Sequence, residues 1–234
     1  MAQTDPIGQA ILSFAKHGKP KDIVVTSDLT DDDIIPVEVL FRSYEEMPDL
    51  EKKALSLVRG SVLDVGAGAG PHASYLQDQG FEVMAIDTSK GAVAYMVGKG
   101  IKAECVDVRN FRSQKFDTLL LLMNGIGIAG RKAQLPEFLK HLKTLLHPGG
   151  QILCDSSDVK FLYEEEDGSF WMDLNSDYYG DFTFQMQFEK DLSPPFPWCY
   201  VDYDTLHVAA VHAGFSCQRI ELQENHFLAQ LITP

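Results

Sequence analysis

The fold of this chain is decided by residues 62–80, VLDVGAGAGPHASYLQDQG. They start with apolar residues typical of a buried strand, pass through a turn with glycine at every second position, and continue into a helical pattern. Pro71 suits the first position of that helix, and Gly80 suits its end. Because glycine lacks a Cβ atom, one side of the turn lets a ligand approach the backbone closely. The stretch predicts a strand, a ligand-binding turn and a helix.

Short runs rich in Val, Ile and Leu alternate with helical patterns from Ser61 onward. This rhythm is typical of parallel strands joined by helical crossovers. The predicted strands are SVLDV, FEVMAI, KAECV, FDTLLLLM and QILCD. Near the end of the sequence, FSCQRIEL and FLAQLIT are separated only by QENH, which is too short for a crossover helix and predicts an antiparallel hairpin. We therefore expect an α/β protein with a doubly wound, mostly parallel sheet covered on both faces.

Two segments lie outside the predicted sheet. Residues 1–55 are expected to form an N-terminal helical cap, and residues 56–234 the main domain. Within that domain, the alternating stretch FTFQMQFEK is typical of a half-buried antiparallel strand, and the proline-rich DLSPPFPW is typical of a loop. We expect about residues 159–203 to form a small lid insertion. Its aromatic side chains either line an apolar pocket or serve packing; they include Phe170, Trp171, Trp198 and Tyr200.

The charge of the chain disfavours some classes of partner. Among 234 residues there are 34 acidic and 20 basic side chains, which gives a formal net charge of −14. Such a field repels nucleic-acid backbones and anionic membrane surfaces, so neither is expected as a partner. The four cysteines are widely spaced and the chain starts without a secretory signal pattern, so a cytoplasmic location is expected. No metal site is expected either, since His207 and His212 are five residues apart and not the three or four that would place two ligands on one helical face.

Three carboxylates stand at the ends of successive predicted strands: Asp64, Asp87 and Asp107. The carboxyl ends of parallel strands meet at the edge where open α/β sheets bind their ligands. Asp64 would repel a pyrophosphate but attract an amino group or a sulfonium. Asp87 suits the two hydroxyls of an unphosphorylated ribose, and Asp107 suits an exocyclic adenine amine. A dinucleotide fingerprint also fits GAGPHA, but the three acids favour a nucleoside that carries positive charge.

These motifs resemble those of the class I S-adenosylmethionine (SAM)-dependent methyltransferases. LDVGAGAG is similar to the first motif of that family, VMAID to the second, ECVDV to the third, FDTLLLLMNGIG to the fourth, and LLHPGGQIL to the turn into the fifth strand. The resemblance covers about residues 55–155 closely, and the final helix and hairpin agree with it. It implies the strand order 3-2-1-4-5-7-6 in a seven-stranded Rossmann-like sheet, with the last strand antiparallel.

The resemblance also implies roles for individual residues. SAM would be the cofactor and S-adenosylhomocysteine (SAH) its product. Asp64 and the glycine turn would hold the methionine part, Asp87 the ribose hydroxyls, and Asp107 with Val108 the adenine, while Met123 or Asn124 would line the methyl-donor end. The implied cofactor-binding set is Asp64, Gly66, Ala67, Gly68, Gly70, Asp87, Thr88, Asp107, Val108, Met123 and Asn124. His72 follows the turn and is expected to sit in the helix without a chemical role.

The methyl acceptor is expected to be a small molecule. Methyl transfer needs alignment of the reacting atoms and exclusion of water, and a general base only where the nucleophile arrives protonated. We predict acceptor contacts from Tyr44 by stacking, from Arg42 by pairing a carboxylate such as that of the cofactor, and from Asp155 as a candidate base. The catalytic group itself is not identified by the sequence.

Two other functions remain open at this stage. One is a cofactor-binding protein without catalysis, and the other is a nicotinamide-dependent oxidoreductase, which would bind a dinucleotide and no methyl donor. The sequence is compatible with a monomer or a homodimer. Binding of SAH and its location in the fold would distinguish these readings.

Overall fold

A computed structural model describes residues 4–164 and 178–234 of the chain. The α-helices of these residues are α1 Pro6–His17, α2 Asp49–Ser56, α3 Pro71–Asp78, α4 Lys90–Gly98, α5 Leu135–Thr144 and α6 Tyr203–His212. The strands are β1 Ile23–Ser27, β2 Asp33–Ile35, β3 Val62–Val65, β4 Val83–Asp87, β5 Ala103–Cys105, β6 Phe116–Leu121, β7 Leu146–Ser157, β8 Asp181–Phe188, β9 Asp191–Leu192, β10 Phe196–Cys199, β11 Ser216–Gln223 and β12 His226–Ile232. Short 3-10 helices at Val37–Phe41, Tyr44–Glu46, Val108–Asn110, Gly125–Ala129, Lys132–Gln134 and Val159–Tyr163 connect them.

Seven of the described strands form the central sheet, in the order β11-β12-β7-β6-β3-β4-β5. Strands β5, β4, β3, β6 and β7 pair in parallel, whereas β12 runs antiparallel to both β7 and β11. Counted along the chain within this sheet, the order is 3-2-1-4-5-7-6, which confirms the expected topology. The carboxyl ends of β3, β4, β5 and β6 therefore meet at one edge, where such sheets bind their ligands.

Helices cover both faces of the central sheet, as the apolar strand runs predicted. On one face, α5 and α6 pack against side chains such as Leu63, Leu119 and Leu121. On the other face, α2, α3 and α4 pack against Val62, Leu120 and neighbouring residues. The predicted helix after the glycine turn is confirmed with Pro71 at its first position. Burial on both faces holds the strand ends in fixed positions relative to one another.

The prediction of a purely helical cap over residues 1–55 is wrong. The hairpin β1-β2 in this segment pairs with β8, and β10 pairs with the other side of β8, giving a second sheet in the order β10-β8-β1-β2. The backbone of a strand must be hydrogen-bonded to neighbouring strands. For β8, one of these neighbours is β1 of the N-terminal segment. Helix α1 packs between this sheet and α4. The expected lid, about residues 159–203, thus contributes β8, β9 and β10 to a joint structure; residues 165–177 lie outside the described part of the chain.

None of the helices in the described residues is both long and apolar enough to cross a membrane.

Candidate functional site

A cavity of about 510 Å³ lies at the carboxyl edge of the central sheet, and we call it the edge cavity. Its floor comes from the loops that follow β3, β4, β5 and β6, and its cover from α1 and the second sheet. Of the predicted cofactor residues, the following line it: Gly66, Gly68, Asp87, Thr88, Asp107, Val108 and Met123. The structure therefore brings together residues that are as far apart in the sequence as Gly66, after β3, and Met123, after β6.

The glycine turn is left-handed at each of its glycines. Gly66, Gly68 and Gly70 have φ angles of 72°, 58° and 79°, which side chains with a Cβ rarely adopt. Only the first two line the edge cavity. A Cβ on Gly70 would lie 2.9 Å from Ile101 Cδ1, so this glycine allows α3 to pack closely on its neighbours. Neither Gly70 nor the buried Ala67 lines the edge cavity, so a cofactor contact at these two positions stays a prediction.

Asp87 occupies the end of β4 and is fixed by two backbone groups. The Gly68 N–H donates to Oδ2 over 2.9 Å, and the Ser89 N–H donates to Oδ1 over 2.8 Å. Burial raises the pKa of the Asp87 carboxyl to about 6. Each carboxylate oxygen has two lone pairs, so each retains one acceptor position for a ligand hydroxyl. The arrangement suits a vicinal diol such as that of ribose.

Asp107 follows β5 and is held differently. Arg109 donates to it from Nη2 over 2.7 Å and from Nε over 3.0 and 3.1 Å, and the Arg109 N–H donates over 2.9 Å. Burial alone would raise the pKa of Asp107, but the hydrogen bonds and charge of Arg109 lower it overall. Both oxygens are thus shared with a cation before any ligand binds.

Asp64 lies beneath the glycine turn and outside the lining of the edge cavity. It is 1% exposed, and its Oδ2 has no hydrogen-bond partner within the described residues. Burial raises its pKa, and the nearby Glu51 adds to that effect, although His72 and the Ala73 N–H act against it. Because buried polar atoms are nearly always hydrogen-bonded, this oxygen is expected to accept from a ligand or a water molecule.

Arg42, Glu51 and His72 form a buried ion network beside Asp64. Arg42 Nη2 pairs with Glu51 Oε1, and His72 Nε2 lies 2.7 Å from Glu51 Oε2. Burial would raise the pKa of Glu51, but these two partners lower it overall. His72 lies in the first turn of α3, where its ring fixes a buried carboxylate. The guanidinium of Arg42 pairs with Glu51 through Nη2, and its Nε lacks a partner among the described residues.

The two other predicted acceptor contacts, Tyr44 and Asp155, do not line the edge cavity. Tyr44 stacks on Tyr75, with ring centroids 4.1 Å apart and planes inclined by 7°. Asp155 is fully buried; its Oδ1 accepts from the Asn124 N–H over 2.8 Å, and its Oδ2 lies 2.8 Å from His226 Nε2. Direct contact of either residue with the acceptor stays a prediction.

Asn124 differs from its neighbours in position. Met123 and Gly125 line the edge cavity, whereas Asn124 does not, because Met123 and Asn124 adopt left-handed φ angles of 63° and 57° that turn the chain. The Asn124 Oδ1 is buried without a partner among the residues that the structure describes. Asn124 Oδ1, Asp64 Oδ2 and Arg42 Nε are thus the three unpartnered atoms of this region.

Several cavity residues were missed by sequence reasoning. They are Leu40, Ile128, Phe196 and the start of α1 with Thr4, Asp5, Pro6 and Ile7. The Asp5-Pro6 pair was a readable helix-start signal: Asp5 caps α1 and also accepts from Ser89 Oγ over 3.0 Å and from the Gly91 N–H over 2.9 Å. Its docking on α4 is a tertiary contact with no sequence pattern of its own.

The aromatic side chains of the expected lid divide into three groups. Trp198 lines the edge cavity. Tyr200 packs edge-on against Phe182 and Phe184. Phe170 and Trp171 lie outside the described residues. Within residues 4–164 and 178–234, no group of three or more His, Cys, Asp or Glu side chains is arranged to hold a metal ion.

The chain matches known proteins over most of its length. Residues 38–219 match the model of a methyltransferase domain family. A solved SAM-dependent methyltransferase from Bacteroides fragilis, in complex with SAH, is 43% identical; the match covers 100% of this chain and 97% of that one, with a TM-score of 0.92. No curated protein matches the chain.

More distant structures share the fold alone. The CcbJ methyltransferase from Streptomyces caelestis is 16% identical, with 82% and 95% of the two chains covered and a TM-score of 0.62. The sugar N-methyltransferase KedS8 from a Streptoalloteichus species is 15% identical, with 89% and 96% covered and a TM-score of 0.59.

Proposed function

Because the chain belongs to the SAM-dependent methyltransferases, we propose that it methylates a small-molecule acceptor at the edge cavity. The family assignment favours an enzyme over a cofactor-binding protein without catalysis, and it favours a methyl donor over a nicotinamide dinucleotide. When bound, SAM supplies an electrophilic methyl group on a sulfonium. The residues of this chain then have to bind the nucleoside, orient the methyl-donor end and exclude water.

The unpartnered polar atoms support this cofactor. Arg42 Nε is a donor, while Asp64 Oδ2 and Asn124 Oδ1 are acceptors, and all three are buried. An amino acid group brings a carboxylate to accept from the arginine and an ammonium to donate to the two oxygens. We infer that Arg42, Asp64 and Asn124 hold the methionine part. Since none of these residues lines the edge cavity, the contact is either direct or through water.

The residues of the edge cavity suit the adenosine part. Asp87 would accept from the ribose hydroxyls, since each of its oxygens retains an acceptor position. Thr88 lies beside it in the lining, and Gly66 and Gly68 let the nucleoside approach the turn. Asp107 and Val108 would meet the adenine. The −14 charge of the chain also favours a cationic donor over an anionic dinucleotide.

The cover of the edge cavity is the observation that carries the proposal of a small acceptor. Met186 of β8, Phe196 and Trp198 of β10, and the residues at the start of α1 lie over the carboxyl edge. A bulky macromolecular surface would have to displace this cover, whereas a small molecule only has to enter the cavity. Its apolar lining also excludes water from the reacting atoms.

Methyl transfer to fractionated cell extract tests the proposal. The protein is incubated with methyl-labelled SAM and extract split by ultrafiltration into a metabolite filtrate and a macromolecular retentate. We expect label in the filtrate. Label confined to protein or nucleic acid in the retentate would overturn the small-molecule acceptor, and SAH binding without labelling of any fraction would restore the non-catalytic alternative.

A further inference from the structure

His226 and Asp155 form a hydrogen-bonded pair at the same edge of the central sheet. His226 is the first residue of β12 and lies opposite Ser157, the last residue of β7. Because side chains two positions apart in a strand share a face, Asp155 and Ser157 point to the same side of β7. His226 Nε2 lies 2.8 Å from Asp155 Oδ2. The Asp155 side chain is completely buried, whereas the His226 side chain is 38% exposed.

Asp155 connects this ring to the methyl-donor end of the proposed cofactor site. Its other oxygen accepts from the Asn124 N–H, and both neighbours of Asn124 line the edge cavity. One carboxylate therefore fixes the turn after β6 and the imidazole at once. Neither Asp155 nor His226 lines the edge cavity itself, and Asn124 links the pair to the two lining residues beside it.

The hydrogen bond defines which ring nitrogen is available. An ionised carboxylate can only accept, so Nε2 of the neutral ring carries the proton and donates it to Asp155. Nδ1 then holds the free lone pair. Within the described residues, Nδ1 has no hydrogen-bond partner. A half-exposed imidazole with one nitrogen anchored and the other free is the arrangement of an oriented base.

We propose that His226, positioned by Asp155, is the general base that takes the proton from the methyl acceptor through one bridging water, because the ring does not line the edge cavity; this inference rests on the proposed function. The lone pair of an acceptor oxygen or nitrogen forms the new bond to the methyl carbon. The carbon–sulfur bond breaks with its electron pair remaining on sulfur, and the acceptor proton passes to Nδ1 of His226. Asp155 stabilises the imidazolium that results. The acceptor class is therefore one with an O–H or N–H group that must be deprotonated.

The charges around His226 give the reaction a definite pH dependence. The hydrogen bond and charge of Asp155 on β7 raise the pKa of His226, desolvation opposes them, and Glu51 on α2 adds to the increase. The ring must be neutral to accept a proton. Methyl transfer should therefore increase as the pH rises through the pKa of His226, and then level off.

Kinetics of two variants test the base. With methyl-labelled SAM and the active metabolite filtrate as acceptor, we expect His226→Gln to lower kcat by about 100-fold or more. The KM for SAM and the affinity for SAH should remain unchanged. Asp155→Asn should shift the rise of kcat to lower pH. His212→Gln, an exposed substitution on α6, is the matched control and should behave as wild type.

Two further measurements separate a base from a structural residue. Added imidazole should restore part of the activity of His226→Ala, which a merely structural role would not permit. Nitrogen NMR of labelled protein should show the neutral ring protonated at Nε2, and this needs no acceptor. Wild-type kcat and pH profile in His226→Gln, or a ring protonated at Nδ1, would overturn the inference. Absence of transfer by the wild type would instead contradict the proposed function.

Discussion

The two ends of the proposed cofactor site are built in opposite ways. At the adenosine end, Asp87 and Asp107 line the edge cavity. Ser89 and Arg109, each two residues further along, hold them, and the glycine turn also donates to Asp87. At the methionine end, Asp64 and Asp155 are buried: one oxygen of Asp64 lacks a partner among the described residues, and Asp155 pairs with His226 on β12. In the proposed site, strand ends alone would therefore determine where ribose binds, whereas the methyl-donor end would depend on packing between distant elements.

This difference has a physical reason. A carboxylate at a strand end next to a cavity can be satisfied by nearby backbone donors, as Asp87 is by the N–H groups of Gly68 and Ser89. A carboxylate removed from water must be satisfied by donors or cations, or its burial is costly. Glu51 obtains them from Arg42 and His72, and Asp155 from Asn124 and His226. We expect substitutions at the buried end to affect folding and those at the adenosine end to affect binding.

The largest effect is expected from Glu51→Ala. It leaves Arg42 and His72 buried without their shared carboxylate, so the free energy of unfolding should fall by about 3 kcal/mol or more. Denaturant unfolding measures it, with the exposed Glu45→Ala as the matched control. Equal stability of the two variants would show that the buried network contributes little, and the contrast between the two ends would be lost.

Asp87→Asn should weaken SAH binding by about 30-fold or more, because hydrogen bonds to a charged group contribute about 1.5–3 kcal/mol each. It should lower stability less than Glu51→Ala does, because only one of the two backbone N–H groups that donate to Asp87 loses its acceptor. Isothermal titration calorimetry gives the affinity. Glu104→Gln, on the exposed surface of the neighbouring strand β5, serves as control and should bind SAH as wild type does. Unaltered affinity in the Asp87 variant would contradict the proposal that ribose binds at Asp87.

The pH dependence of SAH affinity provides a second test of whether Asp87 binds the ribose. The pKa of Asp87 is about 6 in the free protein, and hydroxyl donors favour its ionised form. Affinity should therefore fall as the pH decreases through this value, by less than about tenfold per pH unit. The Asp87→Asn variant should lack this component. A wild-type affinity that is flat, or that improves on acidification, contradicts the assignment.

Asp107→Asn should produce the smallest change. Because Arg109 already engages both oxygens, we expect only about a threefold loss of SAH affinity, the size of one partly exposed hydrogen bond. Calorimetry alongside Asp87→Asn makes the comparison direct. A larger loss of SAH affinity for Asp107→Asn than for Asp87→Asn would contradict the expectation that Asp87 makes the stronger contact.

Sequence patterns predicted the central sheet because its signals are local. The glycine turn, Pro71 and the short gap before His226 constrain the backbone wherever they occur, and the strand order followed from resemblance to a family. The second sheet was missed because β1 and β2 are short. In addition, β8, which pairs with β1, lies more than 150 residues further along the chain.

The site was predictable where strand ends define it and not where packing does. Asp87, Asp107 and Met123 line the edge cavity, and their contact with the cofactor stays a prediction. Tyr44 was assigned for stacking, Arg42 for pairing a carboxylate and Asp155 for its place at a strand end. Their partners Tyr75, Glu51 and His226 come from other elements. His226 was missed because it is the last residue of the predicted gap QENH, whereas in the structure it is the first residue of β12 and contacts Asp155.

A crystal structure of the protein with SAH would show what occupies each end of the proposed site. We predict ribose hydroxyls within hydrogen-bond distance of Asp87, and the amino acid group satisfying Arg42 Nε, Asp64 Oδ2 and Asn124 Oδ1, directly or through single waters. The sulfur would then face the side of Asn124 and His226. SAH bound in the reverse direction, or outside the edge cavity with those three atoms still unpartnered, would contradict it.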